Sequence, residues 1–490
     1  MKKFLAIFLL LSLLLTTTFL GCDNGNDGTD KSESSDTVPE SDALPEETPE
    51  ASGSKAPESS GTTNTTDTAP AESETEPDEV PGTDPETNPE TDPETDPETD
   101  PETDPETEPE TEPEEKPINY FEIYQSNSIT PSGNNYALKS EDGRRVQGKF
   151  RGIFKIQEFG ELEYKFYFSN NIDSTYSNGK YSYRAMPTES YEIVCAEVGV
   201  VGPMGGKGYV YDVQTVTFDG KETRSVAAGE TYWSDAITID VDEGDYLAFE
   251  WTVEYTVIPA TLSENTISIY DYSTGSIADA KAAPMPDLIG CKRDNAVRIA
   301  FIGDSITMGV GAGMKNHKFW AAQITEALGP DVSAWNLGLG YARANDMVNS
   351  PAWLEKAKQN DIVVICFGVN DINSGGYGIS TKRTSAQIAE DIATIAKACE
   401  DAGAEVIIFT TPPYAYAEER VPTWRKLVTN LKKLANDNGY TLFDFAAVLG
   451  DPDDPSKYIY GDHPNQAGCT VVANTFMESG IMENLLKEID

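Results

Sequence analysis

Five short apolar runs set the limits on what the second half of this chain can become: VRIAFIG (297–303), VSAWNLG (332–338), DIVVICFG (361–368), EVIIFTT (405–411) and TLFDF (441–445). Between them lie stretches with helical periodicity, such as HKFWAAQITEAL, SAQIAEDIATIAKACEDAG and VPTWRKLVTNLKKLANDNG. Apolar strands that alternate with amphipathic helices form βαβ units, and βαβ units build a parallel sheet. Gly403 and Gly439 follow two of the helical stretches, where a helix commonly ends. The pattern predicts an α/β domain over 291–490, a flavodoxin-like three-layer fold with a five-stranded sheet between helices. Ligands of such sheets bind beyond the C-terminal ends of the strands.

Residues 119–290 follow a different rule. ELEYKFYFSN, YSYRAMP, SYEIVCAEVGVV, YVYDVQTVTFDG, AITIDVDEGDYLAFEWTVEYTV and TISIYDYS alternate with period two and are divided by Gly, Asn, Asp and Ser turns. This predicts an all-β domain, an antiparallel sandwich with no long helix.

The first fifth of the chain is not core-forming. From Asp23 to about Pro117 it is almost entirely Asp, Glu, Pro, Thr, Ser and Gly and ends in TDPETDPETDPETDPETEPETEPEEKP, with about 33 acids against 3 bases. It carries roughly 30 of the 47 net negative charges. With so little to bury, nothing offsets chain entropy, so residues 22–118 are expected to be a disordered tether, extended by proline and charge repulsion. At roughly 3.1 Å per residue it could reach about 290 Å. The acidity argues against a nucleic-acid partner, because phosphate binding needs clustered Lys and Arg.

Ahead of the tether, Met1-Lys2-Lys3, an apolar stretch from Phe4 to Leu15 and a small residue before Cys22 read as an export signal over 1–21. Phe19-Leu20-Gly21-Cys22 resembles the lipobox of bacterial lipoproteins, which implies a diacylated Cys22 and a protein held on a membrane surface. Six cysteines occur, at 22, 195, 291, 366, 399 and 469. With Cys22 lipidated, five remain, so at least one is unpaired or pairs between chains. Neither CxxC nor His-rich spacing is present to suggest a metal site.

Polar motifs cluster on the rim where the sheet rule points. Gly303-Asp304-Ser305 follows the first run, Asn336-Leu337-Gly338-Leu339-Gly340 ends the second, Gly368-Val369-Asn370-Asp371 follows the third, and Gly461-Asp462-His463-Pro464-Asn465 precedes the last helix. Gly-Asp-Ser alone is a common turn, and Gly-x-Asn-Asp alone a common cap. A serine nucleophile, however, needs a base within hydrogen-bond reach and donors for the oxyanion. The chain has two histidines. His317, ahead of Phe319-Trp320, suits a structural or substrate-lining place, whereas His463 lies in a Gly/Pro-bounded loop that can present it to a cleft.

These residues resemble the SGNH or GDSL hydrolase superfamily over Val297 to the C-terminus. The resemblance implies that Ser305, in GDSIT, is the nucleophile and that His463, in HPNQAG, is the general base. It further implies an oxyanion hole formed by the Asn370 side chain, the Ser305 amide and a glycine amide after the second strand. Two positions depart from the pattern. The family's glycine five residues after the asparagine corresponds to Tyr341, with Gly340 one earlier, so either residue could donate. The family's aspartate three before the histidine corresponds to Tyr460, while Asp462 is adjacent to His463. In an extended segment neighbours point to opposite sides, so Asp444, Asp451, Asp454 or a backbone carbonyl, as in a Ser-His dyad, competes with Asp462 for the third place. The all-β region, through VTFDGKETRSVAAGETYWSDAITIDVDEGDYLAFEW, is similar to the sandwich that precedes the catalytic domain in secreted relatives.

The expectation is therefore a lipid-anchored, surface-displayed serine esterase without metal or cofactor, acting on short acyl, chiefly acetyl, esters of carbohydrate. A lipase-like or thioesterase hydrolase of longer chains and a non-catalytic glycan-binding lipoprotein are the competing readings. Trp320, Trp335, Tyr341, Tyr414, Tyr416 and Trp424 serve either as sugar platforms or as core.

Overall fold

The computed structural model describes residues 118–129, 136–173, 186–203, 209–262, 268–274, 278–293, 296–313, 316–373, 383–452, 459–460 and 462–489. The export signal, Cys22, the acidic tether, Asp454 and Gly461 lie outside the described residues. Residues 109–490 form one compact unit.

Its first half is built on two antiparallel sheets. In one, β1 (Val146–Lys155), β3 (Tyr191–Val201) and β4 (Tyr246–Tyr255) are neighbours, with β4 in the middle. In the other, β2 (Gly160–Ser169) pairs with β5 (Leu288–Lys292) and with the short strands Thr231–Trp233 and Ile237–Val241. Strict alternation along β4 sends Leu247, Phe249, Trp251, Val253 and Tyr255 inward, where they meet Tyr164, Phe166 and Phe168 of β2 in one shared core. β1 escaped the periodicity reading because VQGKFRGIFK places glycines where apolar residues were looked for. The reason for them is steric: a Cβ on Gly148 would lie 2.5 Å from the Phe150 ring, and one on Gly152 would lie 2.6 Å from the Met285 sulfur.

The second half holds a five-stranded parallel sheet of β6 (Val297–Gly303), β7 (Val332–Gly338), β8 (Ile362–Cys366), β9 (Glu405–Phe409) and β10 (Thr441–Phe443), in the spatial order β7-β6-β8-β9-β10. β7, β6 and β8 are apolar almost throughout because helices cover both faces. One face packs on α3 (Pro351–Ala357), α5 (Ser385–Asp401) and α6 (Val421–Asn438), through Trp353, Ile388, Ile392, Leu427 and Leu431. The other packs on α2 (Trp320–Leu328) and α7 (Gln466–Glu478), through Trp320, Ile324, Val472 and Phe476. Thr384 and Gln387 form a reciprocal cap at the start of α5, and Gly439 ends α6 in the left-handed conformation at φ 77°.

The two halves share a buried, partly charged seam. Tyr167 and Leu288 from the antiparallel sheets belong to the same apolar cluster as Ala300 and Trp335 of the parallel one, and Phe121 stacks on Trp335 and meets Tyr167 and Trp233 edge-on. Within the seam, Lys356 of α3 reaches across to Asp173 at 2.6 Å and Asp287 at 2.7 Å, all three being almost wholly buried. Burial alone would pull the Lys356 ammonium down, but the two carboxylates outweigh it and keep it charged. One cation serves two carboxylates, so burial, aided by the charge of Asp173, pushes Asp287 up to about 6.

Candidate active site

β6 delivers the first residue. The strand ends at Gly303, where any side chain would strike the Thr307 hydroxyl and the Cys366 carbonyl. Asp304 then caps a single helical turn, α1 (Ser305–Met308), accepting a 2.9 Å bond from the Ile306 amide. The turn is stopped by Gly309 at φ 113°. Ser305 thus stands first on a short helix, half-exposed at the C-terminal rim of the sheet. Trp320 steadies this turn from below through a 3.0 Å bond to the Ile306 carbonyl.

β7 braces it from the side. Asn336 donates to the Thr307 carbonyl at 3.0 Å and accepts from the Gly338 amide at 2.9 Å. A Cβ on Gly338 would lie 2.4 Å from the Met308 nitrogen, so glycine is required for α1 to rest against the strand. In the segment that follows, Tyr341 adopts φ 62°. The position that the family pattern gives to glycine therefore keeps a glycine-like backbone here, although it carries a tyrosine.

β8 leads to the third motif. Gly368, at φ 124° and against Thr411 and Leu427, opens α4 (Val369–Asn373). Asn370 donates a 3.0 Å bond to the Ala342 carbonyl and Asp371 accepts one of 3.1 Å from the Ala344 amide. Adjacent residues of one helix thereby pin the 341–344 backbone beside the nucleophile turn. Burial pushes Asp371 up to about 7, and likewise Asp304.

The fourth motif comes from the two-residue strands β11 (Ile459–Tyr460) and β12 (His463–Pro464), in which Tyr460 pairs with His463. The His463 Nε2 lies 2.8 Å from the Ser305 Oγ, and its Nδ1 lies 2.5 Å from Asp462 Oδ1. The expectation that neighbours would point apart does not hold, because Asp462 is in the turn between the paired residues and not in an extended strand. Its carboxylate folds back beside the ring. Its second oxygen accepts a 2.6 Å bond from the Tyr414 hydroxyl. Burial would raise Asp462, but the bonds from His463 and Tyr414 outweigh it and hold the group below the usual carboxylate range. An ionised Asp462 on Nδ1 leaves Nε2 free to accept the serine proton.

The other acids proposed from sequence are engaged elsewhere. Asp444 accepts from Thr410 and Ala447 and pairs with Lys432, and Asp451 pairs with Arg425. His317 is 1% exposed at φ 51°, with neither ring nitrogen hydrogen-bonded, and burial lowers it to about 3, so it stays neutral. The imidazole joined to Ser305 is that of His463.

Burial divides the aromatic candidates. Trp320, Trp335, Tyr416 and Trp424 are core, each at most 9% exposed, while Tyr341 and Tyr414 are half-exposed. Tyr414 is neither simply a sugar platform nor core: its hydroxyl bonds Asp462, a role that the sequence does not announce. The one available signal was its position after β9, on the same rim as the other motifs. Among the described residues five cysteines are free, and no group of three or more His, Cys, Asp or Glu side chains is arranged to hold a metal ion. A polar cleft of about 300 Å³, lined by Arg298, Lys358 and Asp361, opens at the opposite end of the sheet.

Residues 301–471 match the GDSL-like Lipase/Acylhydrolase family. An acetylxylan esterase of Xylanibacter ruminicola is 28% identical over 222 residues, covering 39% of this chain and 44% of that protein. The chain thus spans less than half the length of this relative. Among solved structures, a lipolytic protein of the G-D-S-L family from Veillonella parvula is 20% identical with a TM-score of 0.32, covering 37% of this chain and 97% of that one. The aryl esterase of M. smegmatis is also 20% identical with a TM-score of 0.32, covering 38% and 98%. Over residues 301–471, then, the chain carries a domain of the GDSL-like lipase/acylhydrolase family.

Proposed function

We propose that this chain is a serine esterase that removes short acyl groups, O-acetyl above all, from carbohydrate. The observation that carries the reading is the continuous line of hydrogen bonds from Asp462 through His463 to Ser305. In this mechanism Ser305 Oγ attacks the ester carbonyl while His463 Nε2 takes its proton. The tetrahedral oxyanion is met by the backbone amide of Ser305, by an amide of the Gly340–Tyr341 segment and by Asn370, whose other amide hydrogen is directed to Ala342. Collapse expels the alcohol with the proton from His463. Water then attacks the acyl-serine, the acid departs and Ser305 regains its proton. Asp462 stays ionised, fixes the tautomer and stabilises the imidazolium.

The acetyl and glycan parts of the reading are supported by the acetylxylan esterase relative. Export, a lipid on Cys22, a tether over 22–118 and a β-sandwich domain over 119–290 complete the proposal, which puts the enzyme on a cell surface, where it would meet polysaccharide. The test is hydrolysis of para-nitrophenyl esters of increasing chain length, alongside acetate release from acetylated polysaccharides. Acetyl turnover that vanishes in Ser305→Ala is the expected result. Preference for long chains would point to a lipase-like enzyme, and glycan affinity without turnover to a binding protein.

A further inference from the structure

An acid adjacent to the histidine in sequence faces a problem that a strand-held acid does not. Asp462 sits in a hairpin turn and its side chain is 39% exposed, so water competes for its carboxylate and other rotamers are open to it. Its Oδ1 must nonetheless stay on the His463 Nδ1. The group that restrains it comes from a different part of the chain.

Resting on the serine-esterase reading above, we infer that Tyr414 is the positioning residue that makes Asp462 serviceable as the acid. Its hydroxyl donates to Asp462 Oδ2 at 2.6 Å, leaving Oδ1 for the imidazole. The Tyr414 ring stands edge-on to the His463 ring, with centroids 5.7 Å apart and planes at 78°, so it also shields that bond from water. The platform beneath it is stiff. Two prolines, 412 and 413, precede it. The Thr411 hydroxyl is bonded to the Phe367 carbonyl at 2.7 Å, and the Trp424 indole to the Thr411 and Pro412 carbonyls at 2.9 and 3.1 Å. The Tyr416 amide closes on the Tyr414 carbonyl at 2.7 Å. A restrained hydroxyl on a core-anchored loop thus holds a carboxylate that its own turn leaves 39% exposed. The loop after β9 supplies what the family pattern obtains from the spacing of aspartate and histidine.

The experiment is a double-mutant cycle in the full chain with Tyr414→Phe, Asp462→Asn and both, using para-nitrophenyl acetate. Tyr414→Phe should lower kcat about 10- to 100-fold with KM within twofold, since the lost contact is to the acid and not to the substrate. In the Asp462→Asn background the same change should cost less than threefold. A kcat loss under twofold, an equal loss in both backgrounds, or a change confined to KM would each overturn the inference. A second readout does not need turnover: the downfield proton resonance of His463 Nδ1–H, assigned by its absence in His463→Gln and followed in Ser305→Ala. It should be present in Ser305→Ala and broadened or shifted upfield when Tyr414→Phe is added. An unchanged resonance would refute the positioning role. Activity that survives Ser305→Ala would instead sink the esterase mechanism while leaving the resonance test decisive for Tyr414.

Discussion

Replacing Lys356 by methionine removes the cation that Asp173 and Asp287 share in the seam between the antiparallel and parallel sheets while keeping most of the side chain's volume. Asp173 and Asp287 would then lie buried without the cation they share, because all three residues are at most 2% exposed. Breaking a buried ion pair by removing one partner costs about 3–5 kcal/mol, and here two carboxylates lose the same partner, so the upper end applies at pH 8. The loss depends on pH with a definite sign. In the unfolded chain both aspartates release their protons near pH 4. Asp287, already pushed up to about 6 in the native protein, would hold its proton to higher pH still without Lys356. The folded variant therefore binds more protons than the unfolded one above pH 4, and its stability falls as pH rises. At pH 5 the deficit should shrink to about 1–2 kcal/mol, the cost of neutral carboxyls short of a hydrogen-bond partner. Urea denaturation at pH 8 and pH 5 measures both values. Tryptophan fluorescence is a suitable probe, since the Trp335 indole is bonded to the Asp287 carbonyl at 2.9 Å. Adding Asp173→Asn and Asp287→Asn to Lys356→Met should recover stability at pH 8. A variant within 1 kcal/mol of wild type at pH 8, or a deficit independent of pH, would refute the argument.

Asp304 carries a related cost next to the nucleophile. Burial pushes it up to about 7, so between pH 4 and 7 the folded protein keeps a proton that the unfolded chain gives up, and this group's contribution to stability declines across that window. Asp304→Asn retains an acceptor for the Ile306 amide; chemical denaturation should find it more stable than wild type at pH 8, by up to about 4 kcal/mol, and equal near pH 4. Gly311 lies against the base: at φ 94°, its added Cβ would sit 2.7 Å from the His463 Cβ. Gly311→Ala should lower kcat/KM by about 10²-fold through displacement of the imidazole, and steady-state kinetics beside an unfolding curve will separate that from misfolding.

The βαβ alternation and the rim motifs were legible because they are local. Apolar runs such as VRIAFIG and glycine-aspartate-serine turns are decided by hydration and by backbone sterics within a few residues. Other features resisted reading because their cause lies far along the chain. The glycines of β1 look like strand breakers until the rings of Phe150 and Tyr255 are seen to lie over Gly148. The indoles of Trp335 and Trp424 look like candidate sugar platforms until the Asp287 and Thr411 carbonyls are found to hold them in the core.

By itself, then, the sequence determined the layered α/β segment, the β-rich segment before it and the identity of the serine, histidine and asparagine candidates. Periodicity and residue chemistry are properties of neighbours. Only the tertiary structure decided which acid meets His463. A hairpin turn folds the adjacent carboxylate back onto the ring, and a hydroxyl 48 residues away in sequence completes its hydrogen bonding. No local pattern encodes that meeting, because it depends on where β9 ends and β12 begins relative to each other in space.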